Sequence, residues 1–191
     1  MRHGFTASVS SLVCLGFLLS PLNARADSAI DDFVAYLDSS VRVVQNRTGA
    51  QSRCRDLTAR LMEVDLMARA AVKDAWESMT PQQRTTYRAA FQDKMVGECL
   101  RVTRENKAEK VTLAGVRSVS GGDRLVSTRF GGEGEGGRVV IWRVRGEGSK
   151  VRAVDVVSGS RSAVLSARTE YARVLESNKG NVDALIAFMR K

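Results

Sequence analysis

Four carboxylates, Asp65, Asp74, Glu77 and Asp155, are the residues with which this chain could do acid–base chemistry. A single carboxylate in a cavity serves that purpose in some cone-shaped α+β isomerases, because burial moves its pKa into the working range. Their positions also suit plainer roles: helix caps, surface charges and, for Asp155, a structural carboxylate at a strand end. The partners that other reactions need are missing. His3 is the only histidine, and it lies in a segment that reads as a secretory leader. Arg2 precedes an apolar run from Leu12 to Leu22, and Ala24-Arg25-Ala26 is a small-x-small cleavage site. The apolar core is about ten residues, far short of the roughly 20 that span a bilayer as a helix. Val13 before Cys14 argues against lipoprotein processing there. Cleavage after Ala26 discards His3 and Cys14, so the mature chain, residues 27–191, holds no Ser-His-Asp triad, no Cys-His pair and no imidazole metal site. The expectation is a periplasmic protein of one domain that is not an enzyme, with no metal and no cofactor.

Cys54 and Cys99 remain. In an oxidising compartment they read as one disulfide closing about 46 residues, worth roughly 4 kcal/mol on the chain-entropy model. The alternative is a pair of buried free thiols. Without a C-x-x-C pair, thiol–disulfide exchange is not the activity. The glycine-rich stretch 131–137 lacks the G-x-x-x-x-G-K-[ST] pattern and joins two strands, so it reads as a hairpin loop and not a phosphate loop. The full chain carries a net charge of +9. Export turns that surplus away from nucleic acid and toward anionic lipid headgroups or acidic protein partners, and a merely solvated basic surface explains it equally well.

The elements that must position these residues fall into three blocks. Ile30, Phe33, Val34, Leu37, Val41 and Val44 recur at helical spacing, and Asn46–Gln51 breaks the pattern. Cys54, Leu57, Thr58 and Leu61 form a second stripe, and a third helix is expected over Asp65–Ser78. Thr80-Pro81-Gln82-Gln83 is a capping box that opens a helix to about Thr103, with Tyr87, Phe91, Met95, Cys99 and Val102 on one face. After Lys110 the period changes: Val111–Val119, Arg124–Phe130, Arg138–Arg145 and Lys150–Val157 read as four strands of an antiparallel meander. Ser162 to about Ser177 returns to helix, Gly180 ends it, and Asn181 caps a last one bearing Val182, Leu185, Ile186 and Met189. The fold class is α+β: N-terminal helices, a curved four-stranded antiparallel sheet, and C-terminal helices packed over it around an apolar cavity.

Two ordered blocks carry a likeness. The first is Val64-Asp65, Met67-Ala68-Arg69, Trp76, Thr80-Pro81-Gln82-Gln83-Arg84, Tyr87 and Phe91. The second is Val154-Asp155-Val156-Val157, Ser162, Arg168-Thr169-Glu170-Tyr171, Gly180, Asp183-Ala184-Leu185 and Met189-Arg190-Lys191. Together they resemble the MlaC-like, or toluene-tolerance, family of periplasmic phospholipid-binding proteins. The sequence departs from the family pattern at Val151, Val154, Gly159 and Ala167. The resemblance implies a soluble carrier that holds a phospholipid by its acyl chains. It further implies exchange between an outer-membrane lipoprotein complex and an inner-membrane ABC transporter, without catalysis.

Moving two acyl chains of about 16 carbons through water would cost roughly 25 kcal/mol if they were exposed, so a carrier must enclose them. Candidate wall residues are Trp76, Tyr87, Phe91, Val126, Phe130, Val140, Trp142, Val144 and Tyr171, each of which ordinary core packing would also explain. Arg143, Arg161 and Arg168 are candidates to meet a headgroup or a partner. The alternatives are the same fold carrying a hopanoid or other polycyclic lipid, a cavity enzyme using a buried carboxylate, and an adaptor with a filled core.

Overall fold

A computed structural model describes residues 22–45, 49–105, 110–131 and 137–191. The expected leader, apart from the backbone of 22–26, lies outside the described residues. So do Gly132–Gly136 of the glycine-rich loop and Asn46–Thr48 of the first break. The apolar stripe of α1 (Leu22–Gln45) is buried from Ile30 to Val44, as its period requires. α2 (Ala50–Leu61) buries Cys54, Leu57, Thr58 and Leu61. Cys54 is disulfide-bonded to Cys99 of α5 (Pro81–Glu105), with the two Cα atoms 5.8 Å apart.

The single helix expected over Asp65–Ser78 is two. α3 (Val64–Val72) stops at Lys73, whose φ is 44°, and α4 (Ala75–Ser78) adds one turn. The break turns Trp76 onto α5, where it meets Tyr87 edge-on at 6.3 Å and the Arg84 guanidinium lies 5.3 Å from its ring. Arg84 also donates to the carbonyls of Trp76 and Glu77, at 3.1 and 3.3 Å. These contacts offset one strained residue, so tertiary packing overrides local helical preference. The capping box forms as expected: Gln83 N–H donates to Thr80 Oγ1 at 3.1 Å, and Thr80 N–H to Gln83 Oε1 at 3.0 Å.

β1 (Lys110–Ser118), β2 (Arg124–Gly131), β3 (Arg138–Arg145) and β4 (Arg152–Ser158) form the expected meander. A two-residue β5 (Arg161–Ser162) adds a fifth strand, in the order β1-β2-β3-β4-β5. It exists because Ser162 N-caps α6 (Ala163–Ser177), and the approach to that cap pairs with Val157 and Ser158. The last long strand starts at Arg152 and not at Lys150, because Gly148–Lys150 forms a 3₁₀ turn. Register shifts after Leu113 and after Arg143 bend the sheet. At Gly180, φ is 79° and the N–H reaches Leu175 O at 2.7 Å, closing α6 in a conformation that glycine adopts without strain. Asn181 Oδ1 then accepts from Asp183 and Ala184 N–H to start α7 (Val182–Met189).

The molecule has two main apolar layers. One lies between the inner face of the sheet and α1 with α2. The other is helical, built from α3, α5, α6 and α7. Met62 joins them: it packs against both and bridges to Ala153 on the free edge of β4. Among the described residues no helix is long and apolar enough to cross a membrane.

Candidate functional site

Strand alternation builds the first half of the site. Val126↔Trp142↔Val156 and Thr128↔Val140↔Ser158 are cross-strand rows on one face, with Val144 and Phe130 beside them. Val126, Trp142 and Val144 are buried against Ile30, Phe33, Val34 and Leu37 of α1, while Phe130 and Val140 are partly buried there. Phe33 meets Trp142 edge-on at 5.7 Å. The indole N–H of Trp142 donates to Thr128 Oγ1 at 2.8 Å, and that hydroxyl donates to Val140 O at 3.3 Å. The polar atoms of Trp142 and Thr128 therefore have partners close by, which keeps them compatible with apolar surroundings. α1 is tied to the sheet edge by Asp38 Oδ1, which accepts from Val111 N–H at 2.7 Å.

The remaining candidates sit in the other layer. Tyr87 stands 6.2 Å from Phe91 and 6.3 Å from both Tyr171 and Trp76, centroid to centroid. Its hydroxyl donates to Ala68 O at 2.9 Å, joining α5 to α3. Burial pushes both phenols well above the ordinary tyrosine range, with the Tyr171 charge adding to the effect at Tyr87 and the Glu170 charge at Tyr171. Both rings are neutral packing groups at neutral pH. The structure thus divides the nine wall candidates, five on the sheet and four among the helices. A cleft of about 440 Å³ between α6 and α7, lined by Arg173, Val174, Phe188 and Lys191 among others, touches none of them.

A family model described as MlaC protein matches residues 27–191. The chain belongs to the MlaC family. Among solved structures, the phospholipid-binding protein from Ralstonia solanacearum, determined in complex with a phospholipid, has a similar fold. The TM-score is 0.66 at 16% identity, covering 87% of this chain and 93% of that one. No curated protein matches the chain.

In this MlaC-family chain the four carboxylates of the catalytic alternative are otherwise engaged or exposed. Asp65 pairs with Arg88, Glu77 with Arg69 and Arg84, and Asp74 lies open to solvent beside Lys73. Asp155 is the structural carboxylate expected from its position. It accepts from Ser162 Oγ at 2.6 Å and from the N–H groups of Val156 and Val164 at 2.8 and 3.1 Å, fastening β4 to α6. Of the candidate arginines, Arg168 Nε donates to Ala70 O at 2.9 Å and so joins α6 to α3, while Arg161 is exposed on β5. Among the described residues no cluster of three or more His, Cys, Asp or Glu is placed to hold a metal ion.

Two features escaped the sequence reading. The α1 residues that face Trp142 were visible as a helical stripe, yet a stripe does not say which surface it covers. Asp123 gave no signal beside Gly121-Gly122, but its side chain is 0% exposed and accepts from Arg143 Nε at 2.6 Å and from Arg145 Nε and Nη2 at 2.6 and 3.1 Å. The Arg145 and Arg143 guanidinium groups hold its carboxyl below the usual range, against the opposing effect of burial.

Proposed function

We propose that this protein is a periplasmic carrier that binds a phospholipid by its acyl chains in the layer between the sheet and α1. It passes that lipid between an outer-membrane lipoprotein complex and an inner-membrane ABC transporter, and catalyses no reaction. The observation that carries this reading is the continuous apolar layer of Phe33, Leu37, Val126, Trp142 and Val144, in a chain matched to the MlaC family from Asp27 to Lys191. The fold similarity to a protein determined with a bound phospholipid supports it. The matched span also begins at the residue that follows the expected cleavage site.

The layer suits a cargo that must be both covered and released. Its walls offer dispersion contacts and apolar burial, and neither fixes a lipid in one pose. Ser40, buried on α1, has a hydroxyl without a hydrogen-bond partner among the described residues, a donor for a lipid ester. Loading parts α1 from the sheet, and the acyl chains replace side-chain contacts that close the layer again when the lipid leaves. Native mass spectrometry of the mature protein, purified from a periplasmic extract without detergent, tests the reading. A mass increment of one diacyl lipid is expected. An increment matching a polycyclic lipid corrects the cargo, and a bare mass that persists after incubation with liposomes overturns the carrier.

A further inference from the structure

The outer face of the sheet is composed differently from the inner one. Register sets Arg117, Leu125, Arg143 and Asp155 in one row, Ser127 and Ile141 in the next, and Arg129 and Val139 in the third. The Asp155 carboxylate is taken up by Ser162 and the N–H groups of Val156 and Val164. Arg117 and Arg129 are exposed, and Val139 remains 39% exposed. Leu125 and Ile141 are half-buried and pack against none of the buried apolar clusters. From Lys110 to Phe130 and from Arg138 to Arg145 the only carboxylate is Asp123. It is fully buried beneath Arg143 and Arg145, whose side chains keep 47% and 52% of their surface in solvent. The turn after β3 adds Glu147 and Lys150, which cancel.

Asp123 does more than neutralise. Arg143 gives it only Nε, so both of its Nη groups have no protein partner among the described residues. Two guanidinium groups against one carboxylate leave a surplus positive charge, held in place with less side-chain entropy to lose on binding. Arg117, two strands away in the same row, adds a second cation. Basic groups interleaved with one exposed and two half-buried branched apolar side chains are the composition of a surface that lies on anionic lipid. We propose that the outer face of β1–β3 docks the protein on an anionic phospholipid bilayer. Arg117, Arg143 and Arg145 meet headgroup phosphates, while Val139, Leu125 and Ile141 settle at the interface. This role does not depend on what the inner layer carries.

Co-sedimentation of the mature protein with vesicles tests it, comparing mixed phosphatidylglycerol–phosphatidylcholine with pure phosphatidylcholine at low and high salt. Binding to the mixed vesicles alone is expected, weakening as salt rises. Each of R117Q and R143Q should reduce partitioning about fivefold, and R143K should retain it. R173Q on α6 makes the same charge change elsewhere and should bind as wild type. R143Q leaves Asp123 its two bonds from Arg145, and R117Q breaks no hydrogen bond among the described residues, so a folding defect in one does not remove the test. Equal binding to both vesicles, or R117Q and R143Q that match R173Q, overturns the proposal. Failure to bind either vesicle also overturns it, and leaves the face to an acidic protein partner.

Discussion

Replacing Asp123 by asparagine separates the buried carboxylate's charge from its shape. The wild-type side chain accepts three hydrogen bonds from Arg143 and Arg145 and is wholly buried. Hydrogen bonds to a charged group contribute about 1.5–3 kcal/mol when buried, but both arginines are about half exposed and can turn to water. After that discount, D123N should cost about 2 kcal/mol at neutral pH. For a chain of this size that is a drop in Tm of about 4–8 °C. The pH dependence has a definite sign. The carboxyl is held below its ordinary value in the folded state, so its contribution is present above the unfolded value of about 3.9 and is lost as pH falls through the lower folded value. Urea unfolding, followed by the fluorescence of Trp76 and Trp142, measures this directly, since one tryptophan reports from each layer. The gap between wild type and D123N should narrow from neutral to strongly acid pH, while the other carboxylates cancel in the difference. A variant as stable as wild type at pH 7, or a gap that does not change on acidification, would refute the reasoning.

Removing the Cys54–Cys99 bridge by C54S/C99S should cost about 4 kcal/mol for a loop spanning 45 residues, read as a lower midpoint in guanidinium and lost sensitivity to reductant. W142F should keep the Phe33 contact while losing the bond to Thr128, costing about 1 kcal/mol, whereas W142A should cost about 3–5 kcal/mol and abolish the lipid mass increment. T80A removes half of the capping box and should lower stability by about 1 kcal/mol, with T80S restoring most of it in the same thermal melt.

Local chemistry was readable residue by residue. Thr80 and Gln83 needed only their spacing of three to cap α5, Asn181 needed only its place ahead of an apolar stripe, and β3 was bounded correctly by its Val, Ile and Trp content. Ordering of the two family blocks along the chain was likewise a property of the sequence, and the family match bears it out. Composition could be read too, because a single histidine, His3, and the absence of a C-x-x-C pair are facts of residue type.

What the sequence left open depended on residues far apart in the chain. Lys73 adopts a left-handed conformation because Trp76 finds Arg84 and Tyr87 on another helix, and no local propensity encodes that. Nine apolar residues were recognisable as a set, yet only their neighbours could divide them between a sheet layer and a helical one. Apolar burial is non-directional, so an amphipathic stripe specifies that it will be covered and not by what. Asp123 is the sharper case. Beside two glycines it reads as a turn residue, and it becomes a buried anion only when pairing of β2 with β3 brings Arg143 and Arg145 over it. The sequence by itself determined most of the helices and strands and which family the chain belongs to, but not the break at Lys73 or the short β5. The tertiary structure alone decided which face of the sheet is apolar and closed and which is basic and open, because that depends on register and on where α1 comes to rest.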